Sequence, residues 1–209
     1  MAEESRWDQR TVIVLLAIAV EGGLILVAWL AGWLMQQLPL ATFTWDLRDA
    51  LFGLAATLPM LALFFACLWW PVGPIRPVQT FCDEVLRPML APCTLLDLAG
   101  ISILAGFGEE MLFRGVFQAA FTFWIGNAWI GLLLTSVLFG LCHAITAAYL
   151  VLATLMGVYL GWLWQTSDNL LLVIVTHAVY DFIALVVLIR LRRSAPVSRD
   201  AESSERSAP

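Results

Sequence analysis

Ionisable side chains stand inside apolar runs of this chain: Glu109, Glu110 and Arg114, then His143, then His177 and Asp181. A charged group at the centre of a bilayer costs roughly 3 kcal/mol on insertion scales. Their spacing separates them into roles. Glu110 and Arg114 are four apart with Glu first, the favourable order for an ion pair along one helix face. Glu109 points about 100° away from Glu110 and has no cation at i+3 or i+4, so its partner must come from another helix. Phe139 and His143 share one face, as do His177 and Asp181. Two histidines, an aspartate and a free glutamate on three apolar segments have reason to meet in one polar pocket. Such a pocket suits hydrolysis. A glutamate beside a histidine can act as general base on a water. A second histidine can donate to a developing oxyanion. Asp181, one turn beyond His177, can orient that ring or hold a proton. The other chemistry these residues allow is a metal. Glu109, His143, His177 and Asp181 offer the imidazoles and carboxylates that bind zinc or another divalent ion. The helical zinc-protease spacing H-E-x-x-H is absent.

The elements that must position these groups are membrane helices. The 209 residues are 61% hydrophobic, with a mean hydropathy of +0.88, well above a soluble globular chain. The expected fold is all-α, a polytopic bundle of about six transmembrane helices plus a short interfacial amphipathic helix. The spans are expected at about Thr11–Met35, Ala50–Trp70, Thr94–Phe123, Trp129–Ala147, Ala148–Trp164 and Asn169–Leu191. The organising motif lies in the third, inside the apolar run Leu95 to Ile125. Residues 75–93 alternate apolar side chains with Arg76, Asp83, Glu84 and Arg87, the pattern of a helix lying on the membrane surface and limited by Pro88. The break between the fourth and fifth spans is marked only by Thr146-Ala147-Ala148-Tyr149. Glu21 lies inside the first span. It is read as a carboxyl held neutral or bonded to a neighbouring helix, or as part of a substrate channel.

Composition excludes other classes. All the basic residues are Arg, and no basic patch suggests nucleic acid. Cys67, Cys82, Cys93 and Cys142 form no C-x-x-C pair and give no disulfide framework. Arginine is concentrated in the N-terminal tail, the loop after the second span and the C-terminal tail, with only Arg48 on the opposite side. The positive-inside rule then puts both termini in the cytoplasm. The tail, 192–209, has the polar composition of disorder.

Three motifs in order on successive helices, Glu109-Glu110-x-x-x-Arg114, Phe139-x-x-x-His143 and His177-x-x-x-Asp181, resemble the CAAX protease and bacteriocin-processing (CPBP, Abi) family. That family of intramembrane proteases includes the type II CAAX prenyl endopeptidases. The resemblance implies an intramembrane endopeptidase that acts on a membrane protein or peptide, embedded in the lipid bilayer of a bacterial inner membrane. It implies that Glu109 with His143 activates water. His177 and Asp181 would stabilise the tetrahedral intermediate or bind a metal. Glu110, Arg114 and Phe139 would be supporting. The implied organisation is two N-terminal helices and the interfacial helix over 1–93, a four-helix catalytic core over 94–191, and the tail. Family members end the last motif in Asn or Asp, and an ionised Asp181 cannot donate to an oxyanion. Two further readings stand beside this one: a non-catalytic scaffold that binds membrane peptides, and a proton-coupled carrier. Against the carrier, the two halves show no inverted repeat.

Overall fold

The computed structural model describes residues 2–70 and 72–191, with side chains from Gln9 onward. The expected disordered tail, 192–209, and Arg6 of the N-terminal tail lie outside the described side chains. Every regular element among the described residues is helical. In order they are α1 (Ala2–Met35), α2 (Leu47–Trp69), a 3₁₀ turn (Gly73–Ile75), α3 (Arg76–Phe81), a π turn (Cys82–Leu86) and α4 (Arg87–Leu90). Then come α5 (Leu95–Glu110), a π-helical stretch (Met111–Gln118), α6 (Ala119–Ile125), α7 (Ala128–Cys142), α8 (Ala147–Ser167), α9 (Leu170–Val186) and a final π turn (Val187–Leu191).

The helix starts are written locally. Thr94 and Asp97 form a capping box at the start of α5. Asn127, Thr146 and Asn169 accept backbone N–H bonds at the starts of α7, α8 and α9. Asp97 also receives a two-pronged bond from Arg10, 2.6 Å at Nε and 2.8 Å at Nη2, which ties α1 to the start of α5.

Four helices are long and apolar enough to cross a membrane: Gln9–Met35, Leu47–Trp69, Ala147–Ser167 and Leu170–Leu191. A fifth qualifies if the pair Gly73–Leu90 and Leu95–Ile125, bent by 116°, counts as one span. The chain is a multi-pass membrane protein. Six spans were the expectation from sequence, and the remaining one is the short helix α7. It has 15 residues, about 22 Å of rise against a hydrocarbon core of about 30 Å. The expected span Trp129–Ala147 stops early because the chain leaves the helix at His143 and restarts on the Thr146 cap. The surface segment expected over 75–93 is present as α3 and α4, split by the π turn between Pro77 and Pro88. Pro77 sits in the first turn of α3, where its missing N–H costs nothing, while Pro88 removes a donor that a continuous helix would use.

Helix α9 is central, packed on both α5 and α2; α1 lies on α5, and α7 on α8. In a bilayer, close crossings need small residues rather than apolar bulk. Two glycines of α5 set the geometry that matters most. A Cβ at Gly106 would lie 2.9 Å from the Ala178 nitrogen of α9, and one at Gly108 2.6 Å from the Glu21 carbonyl of α1. On the far side of α9, Thr176 Oγ1 donates to the Gly53 carbonyl at 3.0 Å and locks α2 in place.

Candidate active site

The α5–α9 crossing decides which side chains meet. Because Gly106 abuts Ala178, Glu110, one turn further along α5, reaches His177. His177 Nδ1 donates to Glu110 Oε1 at 2.7 Å, and Arg114 Nη1 donates to the same oxygen at 2.9 Å. Glu110 and Arg114 are both 0% exposed. Arg114 continues to the Gly157 carbonyl at 3.0 Å on α8, and its guanidinium lies 5.0 Å from the Phe139 ring centroid. Arg114 stands in the π-helical stretch that begins at Met111. Such π segments are frequent at functional sites because they re-aim side chains within a continuous helix.

Glu109 points elsewhere. It is 9% exposed, its Oε2 has no hydrogen-bond partner, and that oxygen lies 3.7 Å from His143 Nε2. His143 is the residue that caps α7, where the sequence reading put it inside the span Trp129–Ala147. Its Nδ1 donates to the Phe139 carbonyl at 2.8 Å, and its ring stacks on Phe139 at 4.4 Å. A carbonyl can only accept, so Nδ1 carries the proton and the neutral ring turns the Nε2 lone pair toward Glu109. At 3.7 Å the pair is too far apart for a direct hydrogen bond. On the other side, His177 Nε2 lies 3.4 Å from Asp181 Oδ2. All six residues singled out from sequence thus belong to one polar cluster. It has two parts: a buried Arg114–Glu110–His177 chain that ends on the half-buried Asp181, and the Glu109–His143 pair.

Glu109, His143 and Asp181 line a cavity of about 600 Å³, whose walls also include Glu21 of α1, Tyr149 of α8 and Tyr180 of α9. The cavity extends to Val78, Phe81 and Met89 in the surface segment. An apolar chamber with a few convergent polar groups is the usual form of a substrate site.

The comparisons with known proteins bear on this same region. Residues 91–183 match the family model described as type II CAAX prenyl endopeptidase Rce1-like. This segment is similar to the CAAX protease family over that range. The chain is also 33% identical over 104 residues to a protein of Escherichia coli described as an uncharacterized 24.3 kDa protein. That alignment takes in 48% of each chain, so it spans about half the length of the curated relative. No solved structure matches. The matched CAAX-protease segment contains all six polar residues of the cluster.

The zinc reading can be tested on the donor set. Among the described residues, no three His, Cys, Asp or Glu side chains converge as a metal site. Each histidine Nδ1 is held by its neighbour, Phe139 or Glu110, which leaves both Nε2 atoms directed at the carboxylates Glu109 and Asp181. As placed, the four donors are not gathered around one point.

Three features were missed from sequence. The Glu110–His177 bond was missed because Arg114 already gave Glu110 a partner on its own helix. Tyr149 was read only as a helix break; its ring lies 6.3 Å from His143. Its signal is its place in the first turn of α8, six residues after His143. Glu21 was left with two readings, and its position on the cavity wall was not decidable from one helix.

Proposed function

We propose that this chain is an intramembrane endopeptidase that hydrolyses a peptide bond of a membrane-associated protein or peptide. The observation that carries the reading is Glu109: nine-tenths buried, facing the cavity, with an unpartnered oxygen 3.7 Å from the His143 lone pair. Two acceptors at that separation can each take one hydrogen of the same water. Glu109 removes a proton as the water oxygen attacks the scissile carbonyl. Charge then develops on the carbonyl oxygen. His177, held through Nδ1 by Glu110 and turned by Asp181, offers Nε2–H to that oxyanion. Glu109 returns the proton to the departing nitrogen as the C–N bond breaks. Before attack Asp181 faces that same Nε2–H at 3.4 Å, and the one hydrogen turns from Asp181 to the oxyanion as charge develops, so an ionised Asp181 is an acceptor only. Glu110 and Arg114 position His177 rather than touch substrate. Phe139 holds His143 by its ring and its carbonyl.

The apolar helices and the arginine distribution support the reading of a multi-pass enzyme of a bacterial inner membrane with both termini in the cytoplasm. The test compares protein termini in membranes from cells carrying wild type or Glu109→Gln. A membrane protein or peptide left uncleaved only in the variant is the expected result. A folded Glu109→Gln protein that cleaves at the wild-type rate would sink the assignment of the base.

A further inference from the structure

The carboxylates around the cavity are not equally provided for. Glu110 has Arg114 and His177, Asp181 has His177 at 3.4 Å, and Glu109 has His143 at 3.7 Å. Glu21 forms no ion pair among the described residues, and its Oε2 is buried with no hydrogen-bond partner. It nonetheless faces the cavity, where the rest of the α1 wall is apolar: Ile13, Leu16, Ala17 and Val20. Its level along the membrane is fixed by Gly108, whose missing side chain lets α5 close onto the Glu21 backbone carbonyl. Glu21 is therefore beside Glu109, at the depth of the water-activating pair. The cavity wall holds three carboxylates, Glu21, Glu109 and Asp181, and no arginine or lysine.

An unpaired carboxylate in an apolar chamber is expensive, and intramembrane carboxylates are retained where they meet a partner. With no cation facing Glu21 among the described residues, the partner is sought in the occupant. We propose that Glu21 is a specificity residue that binds the Lys or Arg side chain of the peptide substrate next to the scissile bond. Membrane segments carry such residues at their cytoplasmic flanks. Their long apolar stems can lie along the α1 wall while the charged head reaches the carboxylate. This inference rests on the reading of the cavity as a peptide site.

Equilibrium binding tests it without requiring hydrolysis. The probes are synthetic apolar-helix peptides carrying one Lys, norleucine or Glu, scanned through the segment. They are titrated against Glu109→Gln protein in lipid nanodiscs. The expected result is a position where Lys binds about 30-fold tighter than norleucine, the low end for a desolvated charge pair. Adding Glu21→Gln should abolish that preference, and Glu21→Lys should transfer it to the Glu peptide. A reversal of preference cannot come from misfolding. Equal binding of Lys and norleucine at every position would overturn the proposal, as would a preference that persists in Glu21→Gln. The outcomes separate it from the protease reading. Wild-type cleavage indifferent to the scanned residue would keep the protease and remove the Glu21 role. Selective, Glu21-dependent binding with no cleavage would do the reverse.

Discussion

Glu109 and Glu110 are neighbours, yet the same isosteric change to Gln should have opposite consequences. Glu110 is 0% exposed and accepts from Arg114 at 2.9 Å and His177 at 2.7 Å through one oxygen. Glu110→Gln removes the only carboxylate paired with a fully buried guanidinium whose Nε already lacks a partner. Breaking one side of a buried pair costs about 3–5 kcal/mol, because the other charge stays buried. For a chain of this size each kcal/mol moves the midpoint by roughly 2–4 °C, so the expected loss is about 6–20 °C. Glu109 Oε2, by contrast, makes no hydrogen bond, so Glu109→Gln should leave the midpoint within about 2 °C of wild type or raise it, since a surplus buried charge is removed. The assay is thermal unfolding of detergent-purified protein by intrinsic tryptophan fluorescence. A third variant, Glu110→Gln with Arg114→Met, should recover part of the loss, because both charges are then gone. The reasoning fails if Glu110→Gln shifts the midpoint by less than about 2 °C, or if Glu109→Gln loses as much. It also fails if the double variant is no better than the sum of its parts.

Two other outcomes follow from the packing and the donor set. Gly106→Val should lower the yield of folded protein and abolish cleavage together, because its Cβ would meet the Ala178 backbone at 2.9 Å and push α5 off α9; folded yield by size-exclusion chromatography checks it, and a normally folded, fully active variant would refute the crossing argument. Elemental analysis of active, chelator-washed protein should find no stoichiometric metal, since no three donors converge among the described residues; a metal lost together with activity in His143→Ala would reverse that expectation.

The members of the polar cluster were legible in the sequence because the bilayer makes charge conspicuous. An ionisable side chain in a long apolar run stands out, and the spacing of four within each motif assigns it a face. The Glu110–Arg114 pair was readable for the same reason, since both residues lie on one helix. Helix class and starts were also local, carried by hydropathy and by the caps at Thr94, Thr146 and Asn169. What spacing could not supply was the register between helices. That His177 meets Glu110, and that Glu21 stands level with Glu109, depends on where Gly106 and Gly108 let backbones touch. Those contacts join residues far apart in the chain, and no periodicity encodes them. The same holds for the end of α7. Residues 143–146 are apolar enough to continue a helix, but His143 turns back to the Phe139 carbonyl and so reaches the α5 carboxylate. Sequence determined which groups this protein keeps in the membrane; the packing of backbones at glycine decided which of them face each other.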